Sequence, residues 1–283
     1  MKRVLKWVIF LIIFLLALRG LSSIIGEGEK RDSIYIMNLK DTIIFSESFI
    51  KELRSIEKRE DIKSVIIRIN SPGGAIGASQ EIYQEIERFK EKTGKKIICS
   101  IENVGASGAY YVSLSCDKTI ALPGSIVGSI GVISVFFTAE ELFEKIKLKP
   151  FVVKSGKFKD TGTPLRKPTD EDIKYLQGVV NELFEQFKQD VVRKKPQLAD
   201  KINEIADGRV FSGKEAQRLG LIDFVGTFSD AITIAKNLSG IEGEPRIIWP
   251  QKRKLRILEE IIGGKISEFI IPLFMLENVQ ISF

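Results

Sequence analysis

Residues 96–115 read KIICSIENVGASGAYYVSLS. Residues 96–101 form a short, isoleucine-rich apolar run, which predicts a buried β-strand. Residues 106–115 are apolar on every side and predict a helix too hydrophobic to lie on a surface. Ser107 falls in the first turn of that helix, between Ala106 and Gly108, small neighbours that leave its hydroxyl accessible. A helix N-terminus offers unpaired N–H groups and a positive dipole end, both suited to an anionic intermediate. Cap preference alone makes Ser107 an N-cap. The rest of the chain decides between a cap and a reactive hydroxyl.

Working outward, strand and helix patterns alternate. Strands are expected at residues 34–39, 64–69, 96–101, 119–122, 130–136 and 150–153. Helices are expected at 46–58 with Ser46 as cap, 77–92, 106–115 and 139–147. This order, with strands rich in Ile and Val, predicts an α/β fold whose mostly parallel sheet is covered by helices on both faces. Past Lys159 the pattern turns helical. Residues 169–193 read as one long helix capped by Thr169 and ended by Lys194-Lys195-Pro196. Shorter helices at 212–219 and 229–238 and a strand at 246–249 follow.

The ends differ from the body. Twelve uninterrupted apolar residues, 7–18, follow Lys2, Arg3 and Lys6. That length suits a signal-peptide core, yet no cleavage site is convincing; counted to Ile25, residues 1–25 read as an uncleaved signal anchor. The basic N-terminus then puts the bulk of the protein outside the cytoplasm, single-pass in the cytoplasmic membrane. Residues 26–32 form a linker, 33–250 the main domain, and 251–283 a tail too apolar for water, expected against a second subunit or a membrane.

Net charge is +6, but residues 1–30 hold five basic and two acidic side chains, so half of it sits in the N-terminal segment. No nucleic-acid face follows. The chain has no histidine, which excludes a Ser-His-Asp triad, a Cys-His dyad and a His-ligated zinc. Two cysteines, Cys99 and Cys116, could pair outside the cytoplasm; their apolar surroundings favour two buried thiols. There is no nucleotide motif, and no cofactor is expected.

Three further stretches could carry chemistry. Asn70-Ser71-Pro72-Gly73-Gly74 follows a buried strand at its carboxyl end, where glycines let backbone N–H groups approach a ligand. The loop Lys154-Ser155-Gly156-Lys157-Phe158-Lys159-Asp160 presents three lysines. Ser129 lies in Gly128-Ser129-Ile130-Gly131. A serine nucleophile needs a base, and without histidine the usual partner is a neutral lysine. A free lysine, with a pKa of about 10.4, is neutral in about one molecule in 2,500 at pH 7; lowering it by about three units disfavours the charged form by about 4 kcal/mol. Burial among apolar groups can supply that.

These stretches together resemble the signal peptide peptidase A family, serine peptidases of the Clp/crotonase-like fold. The matching segments are SPGG at 71–74, SGAYYVS at 107–113, GSIGVI at 128–133, SGKFKD at 155–160 and GRVFSGKEAQRLGLID at 208–223. Their order resembles the short, single-domain members, and the similarity spans roughly residues 33–250. The resemblance implies repeated β-β-α units. It also implies Ser107 as nucleophile, Lys159 as general base and Ser129 as the hydroxyl that orients the lysine. The N–H groups of Gly74 and Gly108 would form the oxyanion hole, with Gly73 shaping that loop and Asp160 orienting its own. Lys157 is a rival base at a variable position of the pattern, and Lys157-Phe158 is bulkier than the pattern's small residues. The family's dome-like rings imply a homo-oligomer whose active-site parts can meet across subunits. Apolar peptides near the membrane, such as signal-peptide remnants, are the implied substrates. Two alternatives remain: a crotonase-type acyl-CoA enzyme, for which Glu102 lacks a second carboxylate, and an inactive membrane-tethered scaffold.

Overall fold

The computed structural model describes residues 32–250 and the backbone of residues 281–282. The expected anchor and nearly all of the tail lie outside the described residues. Among the described residues no helix is long and apolar enough to cross a membrane.

The chain opens with β1 (Ser33–Lys40), α1 (Glu47–Ser55), β2 (Ile62–Ser71), α2 (Ile76–Thr93), β3 (Lys96–Ala106) and α3 (Gly108–Ser113). Next come β4 (Lys118–Ala121), β5 (Ile126–Gly128), β6 (Ile133–Ser134), α4 (Glu140–Lys145) and the long α5 (Asp170–Lys194). The described body ends with α6 (Ile202–Ile205), β7 (Val210–Ser212), α7 (Gly213–Leu219), β8 (Phe224–Val225), α8 (Phe228–Leu238) and β9 (Arg246–Ile248). The main sheet runs β7-β5-β3-β2-β1-β9, with β4 between β3 and β8 off this path. Its pairings are parallel except β5 with β7. A separate antiparallel pair joins β6 to β10 (Ile281–Ser282).

The continuous apolar strands reflect burial on both faces. Met37, Val65, Ile67, Ile97 and Cys99 point into a large core that also takes residues of α1, α2, α3 and α5. The alternate residues Ile34, Ile36, Ile66 and Ile98 face the smaller core under α8. Strand period two thus splits one apolar run between two helical layers.

Several boundaries differ from expectation. β3 continues to Ala106 because it has two neighbours on one side: residues 98–101 pair with β4, and 104–106 with β5. Ser107 therefore precedes α3 instead of lying inside it. The strand expected at 130–136 shrinks to β6, and residues 150–153 form no strand; they are solvent-exposed and have no ladder partner among the described residues. The short strands β5, β7 and β8 had no legible pattern. Ser46 stands at the N-cap of α1 as expected, but its side chain makes no cap hydrogen bond; its hydroxyl donates to Glu81 instead. Thr169 caps α5 as expected, in a reciprocal box with Asp172. Cys99 and Cys116, expected as thiols, are joined in a disulfide with a Cα–Cα distance of 5.8 Å.

Candidate active site

The site forms where β2 and β3 end. At the end of β3 the chain reverses through Ser107, whose φ of 55° and ψ of −125° lie where side chains rarely go. Its N–H donates to the Gly128 carbonyl at 2.7 Å, and its carbonyl accepts from the Tyr111 N–H at 2.9 Å. The backbone is held, but the side chain is not: Ser107 is 3% exposed, and its Oγ has no hydrogen-bond partner among the described residues. A capping serine would accept from its helix; this one does not. A buried, unpaired hydroxyl at a strained elbow is costly, and such strain concentrates at functional sites.

At the end of β2 the Gly73-Gly74 turn packs directly on this elbow. A Cβ on Gly73 (φ +102°) would lie 2.6 Å from the Gly108 N and 2.8 Å from the Ser107 Cβ. A Cβ on Gly74 (φ +155°) would strike the Ile43 carbonyl oxygen at 2.1 Å. Ile43 holds the turn from its other side: its N–H donates to the Gly73 carbonyl at 2.8 Å and its carbonyl accepts from the Ala75 N–H at 2.7 Å. The Gly74 N–H takes no part in that bridge. The Gly108 N–H is the first of its helix and has no intrahelical acceptor. A Cβ on Gly108 would sit 3.3 Å from the Gly74 N, so the two turns touch.

Ser129 (φ 52°) directly follows Gly128, the residue that holds the Ser107 N–H, and its own N–H donates to the Arg209 carbonyl at 2.8 Å. Ser107, Gly73, Gly74, Gly108 and Ser129 are thus brought into one neighbourhood. Ile43, Ser79, whose Oγ crowds Gly108, and Arg209 belong to its frame; sequence pattern does not reveal them, because each acts through its backbone or through close contact.

The lysine loop is different. Residues 154–159 are exposed and turn-like. Lys154 pairs with Asp160 at 2.6 Å and Lys157 with Glu171 at 2.6 Å. Among the described residues, the Lys159 amine has no such partner, and no hydrogen bond or ion pair links it to Ser107 or Ser129. Asp160 serves this loop: Arg166 donates to it at 2.9 and 3.0 Å, and these bonds, with Lys154, hold its carboxyl well below the usual range. Glu102, the carboxylate of the acyl-CoA alternative, is tied to Arg68 at 2.6 Å.

Comparison with known proteins identifies the family. The sequence profile of peptidase family S49 matches residues 89–242, more than half of the chain, and that of Clp protease matches residues 27–127. MJ0651 of Methanocaldococcus jannaschii is 34% identical over 227 residues, covering 79% of this chain and 68% of that protein. The chloroplastic serine protease SPPA of Arabidopsis thaliana is 33% identical over 223 residues, covering 78% of this chain and 33% of that protein. Protease 4 of Haemophilus influenzae is 33% identical over 218 residues, covering 73% of this chain and 35% of that one. With an α/β body and a mostly parallel sheet, the chain belongs to peptidase family S49, the signal peptide peptidase A family of serine peptidases.

Proposed function

We propose that this protein is a membrane-anchored endopeptidase that cleaves apolar peptides, such as signal-peptide remnants, with a dyad of Ser107 and Lys159. The buried, unpartnered Ser107 hydroxyl, set at a strained elbow against the Gly73-Gly74 turn, carries this reading. The neutral Lys159 amine takes the Ser107 proton as Oγ attacks the peptide carbonyl. The N–H groups of Gly74 and Gly108 hold the oxyanion, each typically worth about 2.7–4 kcal/mol. The lysine then protonates the leaving amine, and water deprotonated by the same lysine releases the acid and frees Ser107. Ser129 orients the amine.

Lys159 is exposed in the single chain, and a neutral lysine base needs shelter from water. Apolar side chains crowd the same region: Phe151 is 90% exposed and Val153 84%. A homo-oligomeric ring in which a second copy covers residues 133–158 supplies the shelter. The body lies outside the cytoplasm, tethered by residues 1–25.

The dyad is tested by kcat on an apolar peptide. Ser107→Ala and Lys159→Ala each lower it on the order of 10⁴-fold, while Lys157→Ala stays within about threefold of wild type. Wild-type rates in either dyad variant sink the assignment. The tether is tested by washing membranes carrying the full chain with alkaline carbonate; release into the supernatant refutes the anchor.

A further inference from the structure

The Cys99–Cys116 disulfide encloses the proposed nucleophile. Ser107 lies eight residues after the first cysteine and nine before the second. One sulfur belongs to the fourth residue of β3; the other follows α3, the helix whose first N–H belongs to Gly108. α3 has only six residues, too few to hold its own axis. Its direction depends on its packing, all six residues being buried with the Tyr110 hydroxyl donating to the Leu221 carbonyl at 3.1 Å, and on the tethers at its ends. At the start it is held by the Ser107 N–H on Gly128, and beyond its end by the disulfide and by Asp117, which accepts from the Ile97 N–H at 2.7 Å.

We propose that the Cys99–Cys116 bond is a positioning element for catalysis: by tying the far end of α3 to β3 it keeps Ser107 and the Gly108 N–H aligned with Gly74, so that acyl transfer depends on the oxidised chain. The inference rests on Ser107 being the nucleophile. Reduction leaves the Asp117 bond and the sheet in place, so the fold persists while the elbow loosens. Oxyanion donors act in the transition state, so the loss falls on kcat and spares KM. Cys99 is fully buried and Cys116 partly exposed, so a thiolate reaches the Cys116 sulfur. A dithiol forms a mixed disulfide there; its second thiolate then closes on the first, leaving two protein thiols and a cyclic disulfide, with two electrons passed to the protein. Glutathione disulfide reverses the step and leaves as two glutathione thiols.

The test uses the full chain: as purified, after dithiothreitol, and after re-oxidation with glutathione disulfide. The purified chain adds no maleimide under denaturing conditions. Reduction lowers kcat on the order of tenfold with KM within about twofold and an unchanged far-UV spectrum, and re-oxidation restores it. The double variant Cys99→Ala/Cys116→Ala sits at the reduced level and ignores the dithiol. The proposal is overturned by two free thiols in the purified chain, by an unchanged kcat on reduction, by a double variant as active as oxidised wild type, or by loss of the far-UV signal together with kcat. If the double variant does not fold, the reduction and re-oxidation arms decide. Ser107→Ala separates the two readings. Wild-type kcat in that variant removes the nucleophile; an inactive variant beside a redox-indifferent wild type removes only the positioning role.

Discussion

Ser107 and the two glycines facing it form one mechanical unit. The serine adopts φ 55° because three neighbours leave no other path: Gly128 holds its N–H, α3 takes its carbonyl, and Gly73 lies under its Cβ. Such a conformation costs on the order of 1–3 kcal/mol and persists only where the surroundings over-determine it. The glycines are therefore as specific as the serine. Gly73→Ala would push a methyl group to within 2.6 Å of the Gly108 N, and Gly74→Ala to within 2.1 Å of the Ile43 carbonyl oxygen. We expect each to lower stability by about 1–3 kcal/mol in urea unfolding and to lower kcat more than tenfold. Wild-type kcat in Gly74→Ala would show that this turn does not serve the reaction.

At the scale of elements, α5 shows how sequence signals and packing divide their work. Its start is specified locally: Thr169 accepts from the Asp172 N–H at 3.1 Å, and Asp172 accepts from the Thr169 N–H at 2.9 Å. Arg166 donates to the same Asp172 at 2.6 Å. That guanidinium, then the Thr161 hydroxyl and the Thr169 backbone, hold the Asp172 carboxyl well below its ordinary range. A carboxylate depressed on folding contributes stability that is present above its unfolded pKa of about 3.9 and lost as pH falls through its folded value. Asp160, depressed by the same arginine, adds to the effect in the same direction. The melting temperature should thus fall as pH drops below about 4, and Arg166→Gln should flatten that fall. Thr169→Ala removes the cap and should cost about 1 kcal/mol at neutral pH. An equal acid loss in wild type and Arg166→Gln would assign it to other groups. Further along α5, only Phe187 and Val191 among its apolar residues are fully buried, with Phe187 edge-on to Tyr111 of α3 at 5.2 Å. The long helix thereby backs the short one.

For the whole molecule, the unequal exposure of apolar groups is the main feature. Ile133, Val135, Phe137, Leu142, Ile146, Leu148, Phe151 and Val153 are more than half exposed within a stretch of 21 residues. On the proposed function this is the stretch that a second copy covers. If the proposed ring forms there, Phe151→Asp with Val153→Asp should shift it to monomers in analytical ultracentrifugation and reduce peptidase activity in parallel. A monomeric variant with full activity would show that the dyad closes within one chain.

Much of this protein is determined by sequence alone. The absence of histidine removes the common bases, and the ordered motifs from Ser71 to Asp223 carry the family. Strands of Ile and Val predict a sheet buried on both faces, because each residue's environment there is set by period two. The Thr169 cap is legible for the same reason: its partners are three residues away. Tertiary structure decides the rest. β3 extends to Ala106 only because β4 and β5 both pair with it, and Ser107 becomes an elbow outside the helix. Residues 150–153 have strand composition but no ladder partner among the described residues, and a strand exists only as part of a ladder. Cys99 and Cys116 meet because α3 turns the chain back onto β3. These outcomes depend on which distant segments come to lie side by side, a relation that no local pattern in the sequence encodes.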